Sequence, residues 1–181
     1  MRVISGEARG RRLKELTGLE TRPTTDKVKE SIFNIIQFDI EGRRVLDLFG
    51  GTGQLGIEAL SRGAASCTFV DQRREAAALI RENVALCRVD DRARVVQGDS
   101  LSFLAGCREK YDLIFLDPPY ASGLLEQALE RACAIDILTE NGIMVCESAV
   151  DQTLPALREP YVKGREYRYG KIKITLYRRE A

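Results

Sequence analysis

The sequence predicts a doubly wound α/β fold built on a mostly parallel seven-stranded sheet that ends in an antiparallel hairpin. Three observations carry this expectation. Short β-branched runs alternate with segments whose apolar residues recur at helical spacing, the pattern of a parallel sheet with crossover helices. A glycine-rich turn, Gly50-Gly51-Thr52-Gly53, joins one such run to a helical stretch. Two segments of alternating character flank Gly170 near the C-terminus, as in a hairpin at a sheet edge.

Taken in order, residues 1–22 are rich in Arg and Gly and read as a basic N-terminal arm or small hairpin outside the core, with residues 23–181 as the main domain. Thr24, Thr25 and Asp26 offer helix caps, and Val28, Ile32, Phe33, Ile35 and Ile36 form an apolar stripe on the helix that follows. Strands are expected at 44–48, 66–70, 93–97, 113–116 and 142–146, with helices over 55–61, 75–87 and 124–137. Segments 161–169 and 171–178 form the closing hairpin.

The chain has 181 residues, 44% of them hydrophobic, which suits one globular domain with a sizeable core. No stretch approaches the roughly 20 apolar residues of a membrane span, and the first six residues are too few and too polar for a secretory signal. A cytoplasmic location is expected. The five cysteines form no C-x-x-C pair and there is no histidine, so the cysteines read as reduced core residues and no metal site is expected. The missing histidine also excludes Ser-His and Cys-His nucleophilic catalysis, leaving carboxylates, amides, backbone or a cofactor to carry any chemistry.

The net charge of +1 conceals an uneven distribution. Met1 to Thr25 hold six basic residues against three acidic, and Arg158 to Ala181 hold eight against three. Two basic ends flanking an acidic middle suit a site that meets a polyanion.

The run from Val45 through Gly56 is a strand, a glycine turn and a helix start. Glycines let the backbone approach a ligand closely, and the free N–H groups of the helix start face it. Gly51, Gly53 and Gly56 also satisfy G-x-G-x-x-G, so a dinucleotide is a competing ligand. Asp47 decides against it, because a carboxylate at the first strand end faces a phosphate poorly and a cationic amino acid well. S-adenosylmethionine carries an ammonium and a sulfonium and no phosphate. Asp71, with Gln72 beside it, ends the next strand where a carboxylate can take both hydroxyls of a ribose. Asp99-Ser100 repeats the pattern at the third strand end, placed to meet the adenine amino group. Any one of these aspartates can be explained as a helix cap; three at successive strand ends, with Phe49, Gly51 and Gly53 between them, describe one crevice.

Asp117-Pro118-Pro119-Tyr120 follows a buried strand and is the expected catalytic loop. An exocyclic base nitrogen is a poor nucleophile because its lone pair is delocalised into the ring. Two acceptors binding both of its hydrogens favour a pyramidal nitrogen and stabilise the positive charge that develops as a methyl group arrives. The Asp117 carboxylate and Pro118 carbonyl are suited to that task, the prolines restrict the direction of the carbonyl, and Tyr120 offers a face for an unstacked base.

With these segments in view, the chain resembles the bacterial RsmD family of 16S rRNA guanine-N2 methyltransferases. The resemblance runs over essentially the whole length and is carried by Arg9-Gly10-Arg11-Arg12-Leu13, residues 22–30, residues 47–53, Glu58-Ala59-Leu60-Ser61-Arg62-Gly63-Ala64 and Asp117-Pro118-Pro119-Tyr120. It implies a Rossmann-like class I fold, a monomer, and methyl transfer from S-adenosylmethionine to the N2 amino group of guanine 966 in small-subunit rRNA, within an assembling particle. By the same resemblance Thr24, Thr25 and Asp26 lie over the methionine end of the cofactor, while the clustering of basic residues before the fold and at the first helix makes Arg9, Arg11, Arg12, Lys14, Arg22 and Lys29 the expected RNA-binding set. Two features depart from the family pattern: Glu7-Ala8 stand where an aromatic residue precedes Arg9-Gly10, and the loop reads Gly50-Gly51-Thr52-Gly53-Gln54 rather than Ala-Gly-Ser-Gly-Ala. The competing functions are a DNA adenine-N6 methyltransferase, which usually needs a separate target-recognition domain, and a non-catalytic RNA-binding module on a retained methyltransferase fold.

Overall fold

The computed structural model describes residues 1–16, 25–120 and 122–181. Among these residues seven strands form one sheet: β1 (Arg44–Asp47), β2 (Ser66–Asp71), β3 (Ala93–Gln97), β4 (Tyr111–Leu116), β5 (Leu138–Ala149), β6 (Tyr161–Tyr169) and β7 (Ile172–Arg179). Their order is β3-β2-β1-β4-β5-β7-β6; the first five are parallel, and β7 and β6 join antiparallel. This is the predicted mostly parallel sheet with a C-terminal hairpin. The chain runs outward from β1 to β3 and then returns to place β4 on the other side of β1. Ligands bind in open α/β sheets at such a reversal, beyond the C-terminal ends of the strands.

Among the described residues five α-helices cover the sheet: α1 (Asp26–Ile35), α2 (Gln54–Ser61), α3 (Arg74–Leu86), α4 (Ser100–Gly106) and α5 (Leu124–Ala134). Successive strand residues alternate between faces. Val45, Phe69, Leu113 and Phe115 therefore pack with α1, α2 and α3, while Leu46, Val70, Ile114 and Met144 pack with α4 and α5. Thr25 caps α1 by accepting a hydrogen bond from the Val28 N–H at 3.3 Å, and the predicted stripe residues Val28, Ile32, Phe33 and Ile36 are buried.

Three local differences from the sequence expectation have physical causes. The helix expected to reach residue 137 stops at Ala134, because Asp136 adopts a left-handed φ of 50° and turns the chain, its carboxylate held by Arg179 and Tyr161. The strand expected from residue 142 begins at Leu138, because Asn141, at φ 65°, forms a bulge within a continuous strand rather than a turn before it. A helix unassigned from sequence, α4, is only seven residues long, too short to display a clear period.

The N-terminal residues also depart from an arm outside the core. Hydrogen bonds from Val3 N–H to the Arg11 carbonyl and from Leu13 N–H to the Met1 carbonyl build a small hairpin, and Val3, Ala8 and Leu13 are buried in the main core. The Glu58 carboxylate of α2 accepts from the Ile4 and Ser5 N–H groups at 2.8 and 3.0 Å. Gly6 is required at this contact: its φ is 87°, and a Cβ there would lie 1.9 Å from the Ser61 carbonyl oxygen.

Candidate active site

A cavity of about 500 Å³ opens at the C-terminal ends of β1, β2 and β4. Asp47, Phe49, Gly51, Asp71, Gln72, Asp99, Ser100 and all four residues of the Asp117–Tyr120 loop line it. The sequence-predicted carboxylates and the predicted catalytic loop thus share one space, although they come from four different crossovers.

Asp47 ends β1 with 2% of its surface exposed, and its Oδ2 accepts from the Gly56 N–H in the first turn of α2 at 3.1 Å. Burial pushes its carboxyl up to about 7, the nearby Asp71 adds to the rise, and the Gly56 hydrogen bond opposes it. No Lys or Arg among the described residues forms an ion pair with Asp47. The carboxylate therefore faces the cavity with no cation of the described residues paired to it.

Asp71 is more heavily engaged. One of its oxygens accepts from the Gly51 N–H at 3.0 Å and from Arg73 Nη2 at 3.2 Å; the other accepts from the Arg73 backbone N–H at 2.9 Å and Nε at 3.2 Å. The contact with Gly51 pins the glycine turn to the end of β2. Gly51 itself has φ 59°, and a Cβ there would meet nothing within 4 Å, so backbone conformation rather than crowding demands glycine. Asp99 caps α4 through the Ser102 N–H at 2.9 Å, and Ser100 Oγ donates to the Leu48 carbonyl at 2.8 Å.

In the loop after β4, Asp117 is half-buried, Pro118 is buried, and Pro119 and Tyr120 are exposed. Ser122 Oγ donates to the Pro119 carbonyl at 2.7 Å and accepts from the Leu124 N–H at 3.3 Å, tying the loop to the start of α5. Leu124 completes the cavity wall beside Tyr120.

Other predicted residues stand apart from the cavity lining. Gly53 is buried, and a Cβ there would meet Ile57 and Ile80 at 3.3 and 3.4 Å. Thr25 and Asp26 begin α1 and are not among the lining residues. Thr24 and Arg22 lie outside the described residues. Arg9, Arg11, Arg12 and Lys14 are exposed on the N-terminal hairpin and its exit, as an RNA surface requires. Lys29 is not: its side chain is fully buried, donating to the Arg2 carbonyl at 2.8 Å and pairing with Glu58 at 3.3 Å. The expectation that Lys29 contacts RNA is corrected to a structural role, because Glu58 draws the ammonium inward and no surface remains for a phosphate.

Sequence reading missed several residues of the site. Leu16 and Arg73 line the cavity without belonging to a recognisable motif, and Gln54 lines it from the end of the glycine loop without having been singled out. Asn83 is fully buried in α3; its side-chain amide donates to the Thr52 carbonyl at 2.9 Å and the Lys14 carbonyl at 3.1 Å, and its oxygen accepts from the Lys14 N–H at 2.8 Å. It joins the glycine turn to the basic N-terminal segment. A polar residue at a core position of an otherwise amphipathic helix was the available signal.

The model of the family described as "Conserved hypothetical protein 95" matches residues 1–178. A Bacillus subtilis (strain 168) relative named "Putative rRNA methyltransferase YlbH" is 41% identical, covering 99% of each chain. The Escherichia coli (strain K12) "Ribosomal RNA small subunit methyltransferase D" is 36% identical over 100% of this chain and 91% of its own. A solved structure, "Putative methyltransferase yhhF from Escherichia coli", superposes with a TM-score of 0.90 at 37% identity, covering 100% of this chain and 98% of that one.

Proposed function

This chain belongs to the Conserved hypothetical protein 95 family, the RsmD family, and on that premise we propose that it transfers a methyl group from S-adenosylmethionine to the exocyclic N2 amino group of a guanine in small-subunit rRNA. The coarser part of this reading, methylation of ribosomal RNA, is supported by the names of its full-length relatives. The finer part, the N2 amino group and position 966 on an assembling particle, is our own. The division into a basic segment at 1–22 and a methyltransferase domain at 23–181, a monomeric state and a cytoplasmic location belong to the same proposal.

The observation that carries it is the single cavity shared by Asp117-Pro118-Pro119-Tyr120 and the strand-end carboxylates. Its volume of about 500 Å³ lies within the usual range for small-molecule sites. Asp47 fits the ammonium of an amino-acid cofactor, since a buried carboxylate with a raised pKa gains most from a cationic partner. Asp71 and Gln72 fit the ribose, Asp99 and Ser100 the adenine, and Phe49 and Gly51 the walls between them. When bound, S-adenosylmethionine supplies an electrophilic methyl group on its sulfonium.

The rest of the chemistry falls to this chain's own groups. Asp117 and the Pro118 carbonyl accept the two N–H hydrogens of the target amine, directing its lone pair and stabilising the charge it acquires in the transition state. Buried Pro118 holds its carbonyl with little freedom to lose, and exposed Tyr120 stacks on the base. Arg9, Arg11, Arg12 and Lys14 neutralise phosphates of an RNA too large for the cavity. The test is transfer of tritiated methyl groups to ribosomal RNA and small-subunit particles from a strain lacking the protein, followed by nucleoside analysis. N2-methylguanosine is expected; methyladenosine or no incorporation refutes the assignment.

A further inference from the structure

A second cleft, of about 420 Å³, lies where the C-terminal hairpin meets the loop after β5. Lys163, Arg168 and Lys173 line it, against Glu166 and Asp151, with Gln152 at its wall. The cations converge on one carboxylate: Glu166 takes Lys173 at 3.0 Å and Lys163 at 3.7 Å, and Arg168 adds to the positive field that holds its carboxyl below the usual range. Lys173 is buried, with 4% of its surface exposed, which is costly for an ammonium unless anionic partners surround it. The cleft holds three cations against the two carboxylates of Glu166 and Asp151, a net surplus of one positive charge, and of the cations Arg168 is the exposed one.

The sheet register fixes where this cleft stands relative to the catalytic loop. Leu116 of β4 pairs with Cys146 of β5. Two residues further along, Ser148 pairs with Lys173, which in turn pairs with Arg168. Pro118 is likewise two residues beyond Leu116, so Lys173 and Arg168 are level with the catalytic loop rather than at the opposite end of the sheet. With strands about 4.8 Å apart, β7 and β6 lie about 10 and 14 Å from β4. The helix leaving the loop bridges the gap, since Glu126 of α5 accepts a hydrogen bond from the side chain of Gln152.

We propose that this cleft receives a backbone phosphate of the RNA strand that carries the target base, with Arg168 as its exposed donor and Lys163 and Lys173 behind it. The inference rests on the RNA methyltransferase reading and adds a contact on the side of the cavity opposite the N-terminal hairpin. The strand would then be gripped on both sides of the base held by Tyr120. Glu166 restrains the three cations in the absence of RNA and competes with the phosphate for them.

The experiment measures RNA affinity over a salt series for the full-length wild type, Arg168→Ala, Lys163→Ala and Glu166→Gln, with S-adenosylhomocysteine affinity measured in parallel. Losing one phosphate contact flattens the plot of log affinity against log salt by about 0.7 to 0.9. Arg168→Ala and Lys163→Ala are expected to show that change with unaltered S-adenosylhomocysteine affinity, and Glu166→Gln to bind RNA more tightly at low salt. A purely structural role for the cluster gives the opposite sign for Glu166→Gln. Arg168 is exposed, so its variant remains informative should Glu166→Gln fold poorly. If wild type methylates RNA while Arg168→Ala and Lys163→Ala keep its salt slope and affinity, the cleft is refuted alone. If wild type neither binds nor methylates ribosomal RNA, the functional reading fails and the cleft assignment with it.

Discussion

Replacing Arg73 with alanine is expected to strengthen cofactor binding, although Arg73 lines the cavity. The Asp71 carboxylate has about four acceptor directions. Two are used by the backbone N–H groups of Gly51 and Arg73, and the other two by the Arg73 guanidinium. A ribose diol must take the guanidinium's place. Arg73 is 30% exposed, so its charge interaction is worth at most about 1 kcal/mol, and removing the competitor should tighten S-adenosylhomocysteine by about two- to fivefold. Asp71→Ala should act oppositely. It loses two hydrogen bonds to a charged acceptor, each worth about 1.5–3 kcal/mol, and frees the Gly51 N–H that held the glycine turn. Together these put the expected loss at about a hundredfold or more. Titration calorimetry on the two variants and wild type decides the matter. Weaker binding by Arg73→Ala would show that the guanidinium contacts the cofactor itself, and an Asp71→Ala affinity within twofold of wild type would remove the ribose assignment.

Four further outcomes are expected. Asp117→Ala should keep S-adenosylhomocysteine affinity nearly unchanged while methyl transfer falls by a factor on the order of 10² or more, since its hydrogen bond matures in the transition state; single-turnover assays separate the two effects. Cofactor affinity should rise with pH towards about 7 and then level off, because a cationic ligand favours the ionised form of Asp47 and its binding releases a proton below that pH; Asp47→Asn should flatten the profile, and calorimetry in buffers of different ionisation enthalpy should detect the proton. In the free protein the same raised pKa means that stability declines as pH climbs from the ordinary carboxylate range to about 7, a slope that urea titrations of wild type and Asp47→Asn compare directly. Glu58→Ala should cost about 3–5 kcal/mol in urea unfolding, because it leaves the buried Lys29 ammonium uncompensated and cuts the hairpin's Ile4 and Ser5 anchors; a loss under 1 kcal/mol would refute the clamp.

The sheet was legible because its signal is local: β-branched runs, turn glycines and helical spacing each lie within a dozen residues. Ala93–Gln97 and Tyr161–Tyr169 coincide with their expected bounds. What eluded the sequence depends on partners distant in the chain. Lys29 has the composition of an exposed helix residue, and only the approach of Glu58 and the Arg2 carbonyl turns it inward. Asn83 sits at a core position of α3 whose two partners are 31 and 69 residues away. Arg73 was hidden by proximity, since a basic residue two positions after an aspartate is common and its effect appears only when all four Asp71 contacts are counted together.

The same distance argument bears on the aspartates, for which capping and ligand binding were alternatives in the sequence. They are not alternatives in the structure. Asp99 caps α4, Asp47 accepts from the first turn of α2, and Asp71 accepts from the N–H just before α3, yet all three line one cavity. In a doubly wound sheet, the end of each parallel strand and the start of the next helix meet at the same rim, so a short carboxylate there can hold a helix N-terminus with one lone pair and face the crevice with another. The capping bond restricts the rotamer before any ligand arrives, which lowers the entropy lost on binding. It follows that removing an aspartate's cap partner while keeping the aspartate should weaken the ligand as well. Ser102 makes this separable, because its hydroxyl donates to Asp99 at 3.1 Å but does not line the cavity. Ser102→Ala should therefore weaken S-adenosylhomocysteine by a small factor, about twofold, through the freedom it restores to Asp99. An affinity unchanged by Ser102→Ala but lowered tenfold by Asp99→Ala would mean that the backbone N–H alone holds the carboxylate in place.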